Sequence, residues 1–263
     1  MKKSIQLFKI GFLLVLFLVI FSATTHAQIV YDGNGASANG SSLAFSVPAG
    51  TNRLIAISIC NFGTVTNISY NGINATLGVT ETVSGSALSS IFYIPLGSGG
   101  LINSTITVTG GANIIMGAGS FQNIDQTSPL GNTSSTSSDI TGNILNPSLN
   151  LTSATGNLVF DRIFSPASSN PTPDASQTLV FSADNGVSDG VSSFKIATSG
   201  TTNMNQTFVG ANAYSYSALE FIAAPLPIVA TAPIPTMSQW GLLIFGLLIM
   251  NLSVFFVQRR ELI

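Results

Sequence analysis

Charge is scarce in this chain of 263 residues: Lys and Arg total 8, Asp and Glu total 10, and together they make up 7% of the sequence. That is less than a third of the roughly 25% usual in soluble domains. A nucleic-acid partner is excluded, because neutralising a phosphate backbone takes clustered Lys and Arg. Cysteine is almost absent: Cys60 stands alone, so no internal disulfide forms. Its place at the end of an apolar strand reads as a small buried hydrophobe. The single histidine, His26, lies in the leader described below, and a body without histidine has neither a Ser-His nor a Cys-His pair and lacks the usual nitrogen ligands for zinc. No cofactor is expected. Tryptophan is limited to Trp240, so the ring that most often stacks on sugars is missing from the body.

Charge is present at the two ends. Lys2, Lys3 and Lys9 flank a twelve-residue apolar run, Ile10 to Phe21, and Thr25-His26-Ala27 supplies small residues before Gln28. These three parts predict a secretory signal peptide over 1–27, cut by signal peptidase between Ala27 and Gln28. At about 1.5 Å per residue the run covers about 18 Å, short of a bilayer's hydrocarbon core. The opposite end holds an uncharged run of eighteen residues, Trp240 to Val257, followed by Arg259 and Arg260. About 27 Å of helix is long enough to span. Trp240 falls where an interfacial aromatic belongs, and the arginine pair marks the cytoplasmic side, which leaves the body outside the membrane.

Between these ends the sequence predicts an all-β fold, an antiparallel β-sandwich of jelly-roll type over 28–222. Short runs rich in Val, Ile, Phe and Thr recur between turn signals such as Asn71-Gly72, Asn185-Gly186 and Asp189-Gly190. Strands are expected at 42–47, 53–60, 65–70, 75–79, 90–94, 104–109, 114–121, 158–164, 177–182, 192–197, 206–209 and 213–222. The Ser/Thr/Asn-rich stretch 127–148 reads as a surface crossing between two halves. Residues 223–232, with Pro225 and Pro227, read as a stiff stalk, and 233–262 as a tail carrying the spanning helix 240–257.

The tail string Pro233-Ile234-Pro235-Thr236-Met237-Ser238-Gln239-Trp240-Gly241, followed by the apolar run and Arg259-Arg260, resembles the IPTL-CTERM sorting signal of Gram-negative bacteria. The usual family string is IPTLSEWG, from which Met237 and Gln239 depart. The resemblance implies recognition by an exosortase-type membrane enzyme, removal of the tail, and delivery to the cell surface or an exopolysaccharide matrix. Independently of the family, Pro233 and Pro235 disfavour helix and keep the segment outside the membrane extended and cleavable. The body is similar to a β-sandwich module of bacterial surface proteins in the stretches GTNRLIAISI, VTNISYNGINATL, GSFQNIDQTSPLG and ATGNLVFD, a module that implies no activity.

Candidates for chemistry are few. Ser192-Ser193-Phe194-Lys195 matches S-x-x-K, but a strand sends Ser192 and Lys195 to opposite faces. Asp161 and Glu220 are the carboxylates a glycan hydrolase would use; pairing of Asp161 with Arg53 or Arg162 as an ion pair on the strand face is the favoured reading. Asp174, Asp184 and Asp189 lie in turn-rich sequence and are the candidates for calcium or ligand binding, although they lack a dense D-x-D-x-D spacing and Asp is also a good turn residue. Tyr31, Tyr70, Tyr93, Tyr214 and Tyr216 are candidates for a sugar platform, with core packing as the favoured alternative. The expected function is a non-catalytic exported surface or matrix protein, with a polysaccharide-binding module as the alternative. Body strands carry almost no Lys or Glu to guard sheet edges, which points to exopolysaccharide or further copies of the chain as partners.

Overall fold

The computed structural model describes residues 26–83, 85, 87–139, 146–166, 171–209, 213–226, 241 and 244–249. The strands in chain order are β1 (Val30–Tyr31), β2 (Ala36–Asn39), β3 (Ser42–Val47), β4 (Gly50–Tyr70), β5 (Ile73–Asn74), β6 (Thr76–Val83), β7 (Ala87–Gly99), β8 (Ile102–Gln122), β9 (Leu130–Ser138), β10 (Ser148–Thr152), β11 (Leu158–Ser165), β12 (Thr172–Pro173), β13 (Thr178–Asp184), β14 (Asp189–Ile196), β15 (Thr201–Thr207) and β16 (Tyr214–Phe221). All of the pairings among them are antiparallel, giving an all-β sandwich.

The first sheet runs β1-β8-β4-β7-β6, with β2 and β3 also on β8 and β5 on β4. Two pairs of expected strands are fused here: 53–60 with 65–70, and 104–109 with 114–121, each lie within one 21-residue strand, β4 and β8. The register shifts between Cys60 and Asn67, and the backbone takes left-handed φ at Gly63 (79°), Gly110 (85°) and Gly111 (73°). Only glycine enters that region without cost, and the bulges bend the ribbon. The bend folds it back on itself: Ile55, Ile57 and Ile59 pack with Ile68, Tyr70, Ile106 and Val108 in one core. The turn Asn71-Gly72, with φ of 51° and 76°, closes β4 onto β5 as a primed hairpin turn.

Opposite side chains of the first sheet, Leu54, Ala56, Ile91 and Phe121, meet Leu158, Phe160, Phe194, Leu219 and Phe221 of a second sheet, ordered β13-β14-β11-β16-β9. Its edge strand β9 lies in the stretch expected to be a crossing loop: Leu130–Ser138 pairs with β16 over most of its length. Ser and Thr fill it because it is an edge with one wet side, and their low apolarity hid it.

The other face of the second sheet is also covered. Val159, Ile163, Val191 and Tyr216 pack with Leu149, Leu151 and Met204 from a small sheet ordered β10-β15-β12. Strands β11 and β16 are therefore buried at every position. Burying one such aromatic as Phe160 is worth roughly 1.5–3 kcal/mol, and the same sandwiching forces any polar residue on β11 into the interior.

Residues 26–225 belong to one compact unit and 226–263 to another. In the second, Gly241 and residues 244–249 are helical; no helix among the described residues is long and apolar enough to cross a membrane. Residues 1–25 of the expected signal peptide 1–27, the motif Pro233, Ile234, Pro235 and Thr236, Trp240 and the pair Arg259 and Arg260 lie outside the described residues, as does most of the expected span 240–257.

Candidate functional site

Alternation along β11 sends Val159, Asp161 and Ile163 to the face under the small sheet and Phe160, Arg162 and Phe164 to the opposite one. Asp161 has no exposed surface. It lies directly across from Ser193 on β14, whose backbone N–H (2.8 Å) and hydroxyl (2.6 Å) both donate to Oδ1. Oδ2 accepts from Tyr216 (2.6 Å), Gln206 Nε2 (3.0 Å) and Gln177 Nε2 (3.1 Å). Five donors thus converge on one carboxylate. Burial still lifts the Asp161 carboxyl above its ordinary range, opposed by the hydrogen bonds from Ser193, Tyr216 and Gln206. Burial, with Asp161 beside it, holds the Tyr216 phenol well above 10.0.

Gln177 reaches this cluster because of a turn built by Asp174. The Ser176 N–H donates to Asp174 Oδ1 (2.8 Å) and the Gln177 N–H to the Asp174 carbonyl (2.9 Å), an Asx turn of the kind aspartate favours. The Gln177 side chain then donates to Ser193 Oγ (2.7 Å) through Nε2 and accepts from the backbone N–H of Asn205 (2.7 Å) through Oε1. Gln206, from β15, donates to Ser193 Oγ at 3.3 Å, and its own Oε1 has no partner.

The expected ion pairs of Asp161 are not formed. Arg162 is the next residue on the strand, so it points through the sheet the other way. Arg53 is spent on the backbone carbonyls of Pro48, Gly97 and Gly100. Arg162 is fully buried, donates through Nε to Cys60 Sγ (3.0 Å), lies 4.8 Å from the Phe181 ring centroid, and leaves Nη1 and Nη2 without a hydrogen-bond partner. Burial pushes the Cys60 thiol up to about 12, against the pull of Arg162.

Glu220, on the same face as Asp161, is 3% exposed and accepts from the backbone of Asn132 (3.1 Å) and Ala154 (2.8 Å) and from the amides of Asn132 (3.3 Å) and Asn157 (2.7 Å). It borders a cleft of about 530 Å³ also lined by His26, Asn132, Ser153 and Asn157. The two ends of the unit meet here. His26 bridges Pro225, the Ala27 N–H donates to the Ala224 carbonyl (2.9 Å), and the Ala223 N–H donates to Asn157 Oδ1 (3.0 Å). The Gln28 carbonyl accepts from Asn123 (2.8 Å), and Ile29 enters the core. Strand-like pairing therefore extends to Pro225, three residues past 222 and into the stretch expected as a stalk.

The three aspartates proposed for ligand binding do not converge. Asp174 lies in the turn before β13 and Asp184 closes that strand, whose extended chain covers roughly 20 Å at about 3.3 Å per residue. Asp184 Oδ1 accepts from the Gly186 N–H (2.6 Å). Asp189, expected in a turn with Gly190, is instead buried on β14 across from Asp184. Among the described residues no group of three or more His, Cys, Asp and Glu is placed to hold a metal ion. Ser192 bonds Ser58 (2.7 Å) in the interior while Lys195 reaches Ser176 (3.0 Å) at the surface. Tyr70 and Tyr216 have no exposed surface and Tyr214 is 6% exposed. Tyr31 and Tyr93 pack on Phe121, Phe194 and Phe221, so these five rings build cores and no exposed platform. Gln177, Gln206 and Ser193 were missed as site residues; the only signal in sequence was an acid placed between Val159 and Ile163 on a strand otherwise apolar on that face.

No family model matches the chain, and no curated relative does. Among solved structures, the plant receptor-like kinase FER aligns at 8% identity over 77% of this chain and 90% of that one, with a TM-score of 0.21. An oxalate decarboxylase from Bacillus subtilis aligns at 7% identity over 77% and 78%, with a TM-score of 0.20. Similarity at this level assigns neither family nor activity.

Proposed function

We propose that the chain is an exported, non-catalytic surface or extracellular-matrix protein: a jelly-roll-like β-sandwich delivered by an N-terminal signal peptide and a C-terminal exosortase-type sorting tail with a membrane-spanning helix. The observation that carries this reading is the shared pole. Residues 26–28 and 223–225 lie side by side, so a leader at one end and a tail at the other would tether the sandwich from the same side, and removal of either would leave the core strands in place. Ile29, the first core residue among the described residues, lies just beyond the expected cut after Ala27. Asp161 and Glu220 are each saturated by hydrogen bonds from the protein itself, which favours a structural role for them over hydrolysis.

The test is the intact mass of protein recovered from the cell surface. A species starting at Gln28 and ending within 233–240 is expected; full-length protein retaining Lys2 in the cytosol would overturn the proposal. Self-association through sheet edges belongs to the same reading, since β9 is an edge strand without a charged residue. Sedimentation should show concentration-dependent oligomers.

A further inference from the structure

We propose that Ser193 and Gln177 join in an intramolecular ester, formed by the protein on itself with loss of ammonia. The parts of an acyl-transfer site are assembled around these two side chains, and all of them are shielded from water: Asp161, Ser193, Gln206 and Tyr216 have no exposed surface and Gln177 is 8% exposed.

The nucleophile is Ser193 Oγ, whose proton already points at Asp161 Oδ1 across 2.6 Å. That is within the about 2.6–3.2 Å over which a general base takes a proton. The electrophile is Gln177 Cδ. Its Nε2 lies 2.7 Å from Ser193 Oγ, so Cδ, one C–N bond of about 1.33 Å further on, is at most about 4 Å away. Turning the carboxamide about its soft terminal torsion brings its face to the oxygen. The Asn205 N–H, 2.7 Å from Gln177 Oε1, is placed to stabilise the oxyanion of a tetrahedral intermediate. Gln177 Nε2 also lies 3.1 Å from Asp161 Oδ2. The carboxylate that accepts the serine proton therefore touches the leaving nitrogen.

The balance is complete without any co-reactant. The Oγ–Cδ bond forms, the Cδ–Nε2 bond breaks, and the hydroxyl proton passes through Asp161 to the nitrogen, which departs as ammonia. Burial supports the assignment, because it raises the proton affinity of Asp161 and keeps out the water that would hydrolyse the ester. Gln206 is the rival electrophile, but its Nε2 is farther from Ser193 (3.3 Å) and its Oε1 lacks any donor. The inference does not depend on export or sorting, since every participant belongs to the folded chain.

Linkage mapping of the purified full-length protein tests it. A protease cutting before aspartate separates Gln177 from Ser193 at Asp184 and Asp189. The expected result is one joined species carrying both segments, about 17 Da lighter than their sum, released into two by hydroxylamine. Ser193→Ala and Gln177→Ala should abolish the joined species and Gln206→Ala should retain it. Recovery of the two segments separately at their unmodified masses from folded, aged protein would overturn the proposal, and so would an ammonia loss confined to another segment, such as cyclised Gln28 or an Asn-Gly succinimide. A segment starting at Asp189 that is itself about 17 Da lighter, with the Gln177 segment at its unmodified mass, would assign the bond to Gln206, which shares that segment with Ser193, and refute the geometry argued here.

Discussion

Two charged residues, adjacent in the chain and both without exposed surface, are treated in opposite ways by the two faces of one sheet. Under the small sheet, Asp161 sits among five hydrogen-bond donors. On the other face, Arg162 has a sulfur, an aromatic ring and two unpartnered amino groups. Burial lowers the Arg162 pKa, opposed first by Cys60 and then by the charge of Asp161 across the sheet. The difference teaches where this interior is specific. A carboxylate met by converging donors fixes the positions of four side chains, whereas a guanidinium left half-satisfied is a volume-filling group whose charge adds little.

The largest test of this contrast is Asp161→Leu, which strands the donors of Ser193, Gln177, Gln206 and Tyr216; a loss of about 3–5 kcal/mol in urea unfolding is expected. Next is Gly190→Ala. A Cβ there would collide with Arg162 Nη2, and overpacking of this kind costs about 1–3 kcal/mol. In an Arg162→Met background that cost should fall, and a double-mutant cycle measures the coupling. Arg162→Met alone should change stability by less than about 1 kcal/mol or raise it. A loss as large as that of Asp161→Leu would erase the distinction between the faces.

Smaller effects sharpen it. Because burial raises the Asp161 pKa above 3.8, the folded state holds that proton more tightly than the unfolded chain. Its stabilising contribution is fully present below 3.8 and is lost as pH rises through the folded-state value. The stability of the wild type relative to Asp161→Asn should therefore improve as pH falls from neutrality towards 3.8 and then level off. The reverse trend would mean that the hydrogen bonds outweigh desolvation. Finally, a Cys60 thiol held near 12 should react with iodoacetamide at mildly alkaline pH on the order of a thousandfold more slowly in folded than in unfolded protein.

Much of the sheet structure was legible locally. The runs at 42–47, 158–164 and 213–222 appear as β3, β11 and β16 because period-two apolar patterns and Asn-Gly turns act over a few residues. The bend that merges β4 was not legible, since Gly63 in a polar stretch looks like a loop until the pairing with β8 is seen. Strand β9 was hidden because its partner β16 supplies the apolar side. Of the site, the sequence singled out Asp161 as a carboxylate on an apolar strand, but paired it with Arg53 or Arg162, both of which are engaged elsewhere. Its partners were invisible: Gln177, Gln206 and Tyr216 lie 16, 45 and 55 residues away, with no local pattern linking them.

By itself, then, the sequence determined the all-β class, the acid at 161 set within a strand rich in apolar residues, and the absence of histidine from 27 onwards that shapes what chemistry the body can do. Each follows from residue type and near-neighbour spacing. Only the tertiary structure decided that β10, β12 and β15 cover the Asp161 face and that residues 26–28 meet 223–225. Those outcomes depend on segments distant in the chain burying apolar surface against each other. Desolvation of Asp161, and the choice of groups that answer it, exist only once that surface is closed.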